Sequence, residues 1–145
     1  MATKIPRGIL NNNPGNLERG GDKWEGLSEK QTDKRFASFD TPEHGIRAMA
    51  RTLLTYQMKY DINTIAEIVT RWAPPSENKT GAYIKAVCMQ TGFARDQEID
   101  MFNYEHALPI VKAIVRPENG KQPYDESTLR RGLAMAGIRP RPKDL

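Results

Sequence analysis

At Thr41-Pro42-Glu43 the sequence changes its grammar, and that change constrains the fold more than any other feature. Upstream, residues 11–40 read NNNPGNLERGGDKWEGLSEKQTDKRFASFD, with three consecutive asparagines, Pro14 and four glycines. Such a text favours turns and short strands over helix, and Arg35–Phe39 alternates enough for one short strand. Downstream, Thr41 suits an N-cap, Pro42 the first helical position and Glu43 the positive end of a helix dipole. Ile46, Met49, Ala50, Leu53 and Gln57 follow at three- and four-residue spacing, with Leu54 alongside. That spacing predicts a helix to about Tyr60, its Ile46/Met49/Leu53 face in the core. The expected class is α+β, mainly α-helical: a small loop-and-strand lobe at 11–40 and a helical lobe at 41–137.

The helical pattern continues. Asn63 or Thr64 caps a second helix through Ile65, Ile68, Val69 and Trp72, ended by Pro74-Pro75. A third carries Tyr83, Ile84, Val87 and Cys88 and stops near Gly92. Residues 93–103 are polar and leave room for one short helical turn. A fourth helix is predicted at roughly 105–116, with Pro109 in its first turn and Pro117 as its stop. The last spans 126–136 on Leu129, Leu133 and Ala136, with Gly137 beyond it. Residues 1–10, with Pro6 and Gly8, read as an arm, and 138–145 as an extended basic tail. Without repeats or a linker, the 145 residues make a single domain, long enough to bury a core without staples.

Composition narrows the function classes. The single cysteine, Cys88, excludes an internal disulfide and, beside Val87, reads as a small buried hydrophobe. No long apolar run occurs, and MATKIPRGIL lacks the apolar segment of a signal peptide, so a soluble product made in a cytoplasm, without membrane insertion, is expected. Lys and Arg outnumber Asp and Glu by 22 to 18, for a net charge of +4. That balance favours an acidic partner, whether nucleic acid, anionic lipid or a cell-wall polysaccharide. The basic residues are scattered apart from RPRPK near the end, so composition does not choose among these.

The sequence contains no Gly-rich phosphate loop, zinc spacing, HExxH or GxSxG. His44 and His106 lie far apart; His44, in the first turn of its helix, reads as a surface or capping residue. Neither a metal site nor a cofactor is expected. What remains is carboxylates, aromatics and amides, the groups that bind carbohydrate. Flat sugar faces stack on Trp or Tyr, and hydroxyls and acetamides pair with Asn and Gln. Asn13, Asn16, Trp24, Trp72, Tyr83 and Tyr124 could line such a groove. Trp24, in the Gly-rich lobe, is the better groove candidate, since Trp72 and Tyr83 equally fit core aromatics at helical spacing.

One acid stands out. In IVKAIVRPENGKQPY, residues 110–124, the apolar positions Ile110, Val111, Ile114 and Val115 form one side of a helix that stops at Pro117 and delivers Glu118 into a loop. A carboxyl beside apolar walls has its pKa raised, as a general acid near neutral pH requires. The plainer alternative is a solvated glutamate in a helix-ending turn. Asp125 is the nearest second carboxylate and also fits the N-cap of the last helix. Glu18 and Glu25, in the small lobe, are further candidates.

The run RGILNNNPGNL, then KWEG, RFASFDTPEHGIRAMARTLLTY and RWAPPSENKTGAYIKAV, resembles phage- and prophage-encoded proteins related to peptidoglycan-cleaving enzymes, often described as virion structural or lysozyme-like. The resemblance covers about Arg7 to Gly137. FDTPEHGIRAMARTLLTY is similar to the lytic transglycosylase segment in which Asp-Pro precedes a helix with an Asn-Ile-x-x-Gly run. SENKTGAYIKAV resembles that domain's Glu-Thr-x-x-Tyr-Val-x-x-Val segment at Glu77, Thr80, Tyr83 and Val87, and NPGNL resembles the Asn-Leu-Phe-Gly segment of bacterial glucosaminidases. In those relatives a helix ending in Glu-Ser-Gly comes first and supplies the catalytic acid. Here a helix ending in Glu118-Asn119-Gly120 appears downstream instead, with Asn119 in place of Ser and Pro117 before the acid.

The resemblance therefore implies a circularly permuted lysozyme-like domain, a rearrangement that neighbouring termini tolerate. It implies cleavage of the MurNAc–GlcNAc strand with Glu118 as acid and base, in the manner of a lytic transglycosylase. Asp125 is then a second catalytic candidate, with Asn13, Asn16, Trp24, Glu77, Tyr83 and Tyr124 on the substrate. The expected partners are peptidoglycan glycan strands and other virion proteins, not nucleic acid, for a monomer acting in the periplasm or wall. The alternatives are a hydrolytic muramidase or endolysin with a second carboxylate, a non-catalytic virion or wall-binding protein, and a basic structural protein touching packaged DNA.

Overall fold

In the computed structural model, which describes residues 5–120 and 122–142, six helices follow one another. They are α1 (Arg7–Leu10), α2 (Pro42–Tyr60), α3 (Ile65–Trp72), α4 (Thr80–Thr91), α5 (Tyr104–Asn119) and α6 (Glu126–Met135). The protein is mainly α. Thr41 caps α2 by accepting from the His44 backbone N–H at 3.2 Å, and Thr64 caps α3 from Glu67. The α2 stripe Ile46, Met49, Leu53 and Leu54 is fully buried, each side chain contributing about 1.5–3 kcal/mol. α2 packs most extensively on α6. The two approach so closely that a Cβ on Gly132 would stand 2.5 Å from Ile46 Cγ2, so this crossing requires a glycine.

Helix α5 starts where expected but departs from expectation at its C-terminal end and in the turn that holds Pro109. It runs from Tyr104 to Asn119, not 105–116, so Pro109 sits in the second turn and Pro117 lies inside the last one. Each proline removes one backbone donor from the ladder. The deeply buried face of Ile110, Val111, Ile114 and Val115 holds the helix against that loss, since packing rather than propensity carries most helical stability in a folded chain. The Asn119 amide also donates to Val115 O at 2.9 Å, tightening the turn that carries Glu118. Glu118 is thus the penultimate residue of a helix, not a loop residue.

Two further expectations are corrected. The arm contains a single helical turn, α1, whose Gly8 is buried against α5. In the small lobe the strand at Arg35–Phe39 is reduced to two isolated bridges, Glu18↔Phe36 and Leu27↔Phe39, and no strand forms among the described residues. Side chains replace a sheet ladder there. Asn13 donates to Leu17 O and Ala37 O, both at 2.9 Å, and accepts from Leu17 N–H. Gln31 brackets Ser38, accepting from its N–H at 2.8 Å and donating to its carbonyl at 3.0 Å. Ala37, Phe39 and Ala48 of α2 close a small core with Leu17, Trp24 and Leu27 packed on it. Ile138 is buried, so the tail leaves the core only at Arg139. The expected arm at 1–4 and tail at 143–145 lie outside the described residues.

Candidate functional site

A cleft of about 530 Å³ separates the small lobe from the helical lobe. The small lobe supplies Asn16, Glu18, Arg35 and Phe36; the far wall is Tyr56 of α2, Trp72 of α3 and the Glu77-Asn78 loop, with Glu118 reaching in from α5. Pro74-Pro75 ends α3 and throws that loop outward. The Glu77 N–H then donates to Pro74 O at 3.0 Å and Thr80 hydroxyl ties back to Ala73 O, so the cleft lip is pinned at both ends.

Glu118 is half-buried. Burial raises its pKa above the ordinary 4.5, while hydrogen bonding from the Trp72 side chain pulls the other way. The carboxyl is thus kept protonated to higher pH yet has a donor ready for its charged form, the combination an acid that must later act as base needs. Behind it, burial and the Glu118 charge together push Tyr83 far up, so Tyr83 stays a neutral phenol. Its hydroxyl is buried without a hydrogen-bond partner among the described residues, as is that of Tyr124, which burial pushes up to about 12.

The neighbouring asparagines fasten this end of α5 to the small lobe. Asn119, only 5% exposed, donates to Pro14 O at 2.9 Å as well as to Val115 O. Asn16, in the left-handed region with φ of 49°, reaches the Glu118 carbonyl at 3.5 Å. A Cβ on Gly8 would lie 2.3 Å from Asn119 Oδ1, so α1 packs directly against the turn that carries the acid.

Of the residues expected to line a groove or act in it, Asn16, Trp72, Glu77 and Glu118 meet in the cleft, with Glu18 among the further candidates; of the two tryptophans it is Trp72, not the favoured Trp24, that does so. Asn13 does not reach it, being wholly buried as the small lobe's internal brace. Trp24 lines a separate, smaller hollow on that lobe. Tyr83 and Tyr124 pack against the main core. Asp125 caps α6, accepting from Thr128 N–H at 2.9 Å and from the Ser127 and Thr128 hydroxyls; these bonds lower its pKa to about 2. Glu25 faces Arg47 at 3.3 Å, and Glu18 pairs with Arg35 at 2.7 Å.

No family model matches the chain. Over 130 residues, spanning 88% of this chain and 79% of the relative, it is 42% identical to protein P5 of Pseudoalteromonas phage PM2. The chain belongs to the protein P5 family. It is therefore a bacteriophage-type protein, and among the described residues no helix is long and apolar enough to cross a membrane.

Tyr56 and Arg35 are among the cleft residues of this P5-family chain that were not legible from sequence. Tyr56 is one residue away from Gln57, which the apolar spacing had placed in the stripe; Gln57 instead accepts from Met101 N–H at 2.7 Å and donates to Asp100 at 3.0 Å. Tyr56 packs edge-on to Trp72, with ring centroids 6.4 Å apart. Arg35 carried no signal beyond its charge, yet its guanidinium lies 5.0 Å from the Phe36 ring centroid on the cleft wall.

Proposed function

We propose that this P5-family protein is a peptidoglycan-cleaving glycosidase of the lytic transglycosylase type, carried by a phage for wall penetration or host lysis. The observation that carries the reading is Glu118: a half-buried carboxyl with a raised pKa, on the last turn of a buried helix, opening into the interlobe cleft. Protonated Glu118 gives its proton to the glycosidic oxygen between muramic acid and glucosamine as that bond breaks. The resulting carboxylate then takes the proton from the muramic C6 hydroxyl, whose oxygen closes on C1 to form the anhydro ring. No water is consumed, and a second carboxylate is not required.

The surroundings favour this single-acid route over a muramidase. Asp125 is committed to the α6 cap, Glu25 to Arg47, and Glu18 to Arg35 on the opposite wall. Glu77 also lines the cleft, outside any salt bridge among the described residues, and with Glu18 is a carboxylate a hydrolytic reaction could use there. A permuted lysozyme-like arrangement accords with the contact between α1, near the start of the chain, and the end of α5. The test is digestion of purified peptidoglycan by wild type and Glu118→Gln: loss of cleavage in the variant supports the reading, and undiminished cleavage removes Glu118 from the mechanism. Absence of cleavage by wild type favours a structural or wall-binding virion protein.

A further inference from the structure

Beyond the cleft lining, a run of stacked side chains continues outward from Tyr56. One turn along α2 stands Tyr60, 45% exposed, and Arg71 of α3 spans both rings. Its guanidinium lies 5.1 Å from the Tyr56 centroid and 4.1 Å from that of Tyr60. Lys59 adds a second cation, 5.7 Å from the Tyr60 centroid. Among the described residues neither Arg71 nor Lys59 is in a salt bridge. Trp72, Tyr56, Arg71 and Tyr60 thus form one continuous track, running from the wall facing Glu118 out to solvent.

We propose that the Tyr56–Arg71–Tyr60 stack is a distal binding subsite for an amino-sugar strand bearing carboxylates, a subsite that rests on the glycan reading of the cleft. The ligand class follows from the chemistry. Aromatic rings offer flat apolar contact to sugar faces, and Arg71 and Lys59 offer charge to lactyl or stem-peptide carboxylates carried on alternate sugars. The guanidinium stacked on the two rings is already ordered, so little side-chain freedom remains to be lost on binding. The two sources of carboxylate are separable, because stripping the stem peptides exposes the lactyl groups and leaves the sugars intact.

The probes are glycan strands from amidase-treated peptidoglycan, fractionated into disaccharide and octasaccharide pools, with undigested strands as a third. Affinities are measured by calorimetry on Glu118→Gln and on the same variant carrying Tyr60→Ala or Arg71→Ala. Both added changes are at exposed positions and preserve the fold, checked by Tm. The subsite predicts a loss of about fivefold for octasaccharides, none for disaccharides, and a larger Arg71→Ala loss on strands that retain stem peptides. Octasaccharide affinity unchanged in both variants overturns the subsite, and cleavage by wild type can still stand. Failure of wild type to cleave, together with length-dependent loss in Tyr60→Ala, upholds the subsite while the catalytic reading falls. Absence of binding to any pool overturns the subsite, whether or not wild type cleaves.

Discussion

Gly15 offers the sharpest test of how the small lobe controls the acid. A Cβ built there stands 2.9 Å from Trp72 Cζ2, 3.1 Å from Cη2 and 3.2 Å from Met49 Cγ. Ordinary carbon contacts begin near 3.5 Å, so Gly15→Ala must move the indole by roughly half an ångström or part the lobes by as much. Overpacking of this kind costs about 1–3 kcal/mol, which for a domain near 150 residues is a fall in Tm of about 3–10 °C. Function should suffer more than stability. Trp72 is the side chain whose polar interaction pulls the Glu118 pKa down, and small misplacements of a catalytic group cost on the order of tenfold or more in rate. Turbidity loss of a peptidoglycan suspension, measured well below the variant's Tm, reads the rate; calorimetry reads the fold. A Gly15→Ala protein with parental turnover and an unmoved tryptophan emission spectrum would refute the coupling of the small lobe to Glu118.

Further outcomes follow from the same geometry. Glu118 has a raised pKa, so both states are protonated well below 4.5 and the folded state bears a buried charge above the raised value. Glu118→Gln should therefore match the parent in Tm at low pH, exceed it increasingly as pH rises from 4.5 to the raised value, and hold a constant margin above it, as a pH series of melts will read. Trp72→Phe removes the donor to the charged carboxylate, so the alkaline limb of the pH–rate profile should move to higher pH. Asp125→Ala should lower Tm by uncapping α6 while leaving the cleavage rate of soluble glycan strands unchanged. Asp33 is held far below the usual carboxylate range by Arg7 and by the Phe36 and Arg35 backbone N–H groups. Asp33→Asn should destabilise the small lobe at neutral pH, the deficit narrowing in strong acid as the parent's own carboxylate becomes protonated.

The helical lobe was largely legible because its signals are local. Thr41, Thr64 and Asp125 cap where their hydroxyls and carboxylate announce it, and Gly92 adopts the left-handed stop after α4. The C-terminal end of α5 and the turn that holds Pro109 were not legible, because Pro109 and Pro117 are local signals that distant packing overrides: the core face from Ile110 to Val115 stabilises what two missing donors weaken. Gly8 read as a helix breaker for a similar reason. Its lack of a side chain is required by Asn119, more than a hundred residues away.

Several residues expected in the cleft stand elsewhere in the structure. Asn13 and Trp24 belong to a lobe with no strands, where an amide must serve as backbone bracing and an indole as core. Residue type cannot distinguish an amide that binds sugar from one that binds its own main chain. The place of Glu118 was legible because a carboxyl beside an apolar helix face stands out at the level of chain pattern alone. Tyr56 was not, since its use depends on the angle at which α3 brings Trp72 and Arg71 to α2.

Whether Glu118 alone serves as acid and base is read from mass spectrometry of the fragments released from purified peptidoglycan. A single acid–base carboxyl leaves 1,6-anhydromuramic ends, lighter than the hydrolysis products by one water, and these disappear in Glu118→Gln. Fragments with reducing ends, or anhydro products that persist in Glu118→Gln, rule that role out.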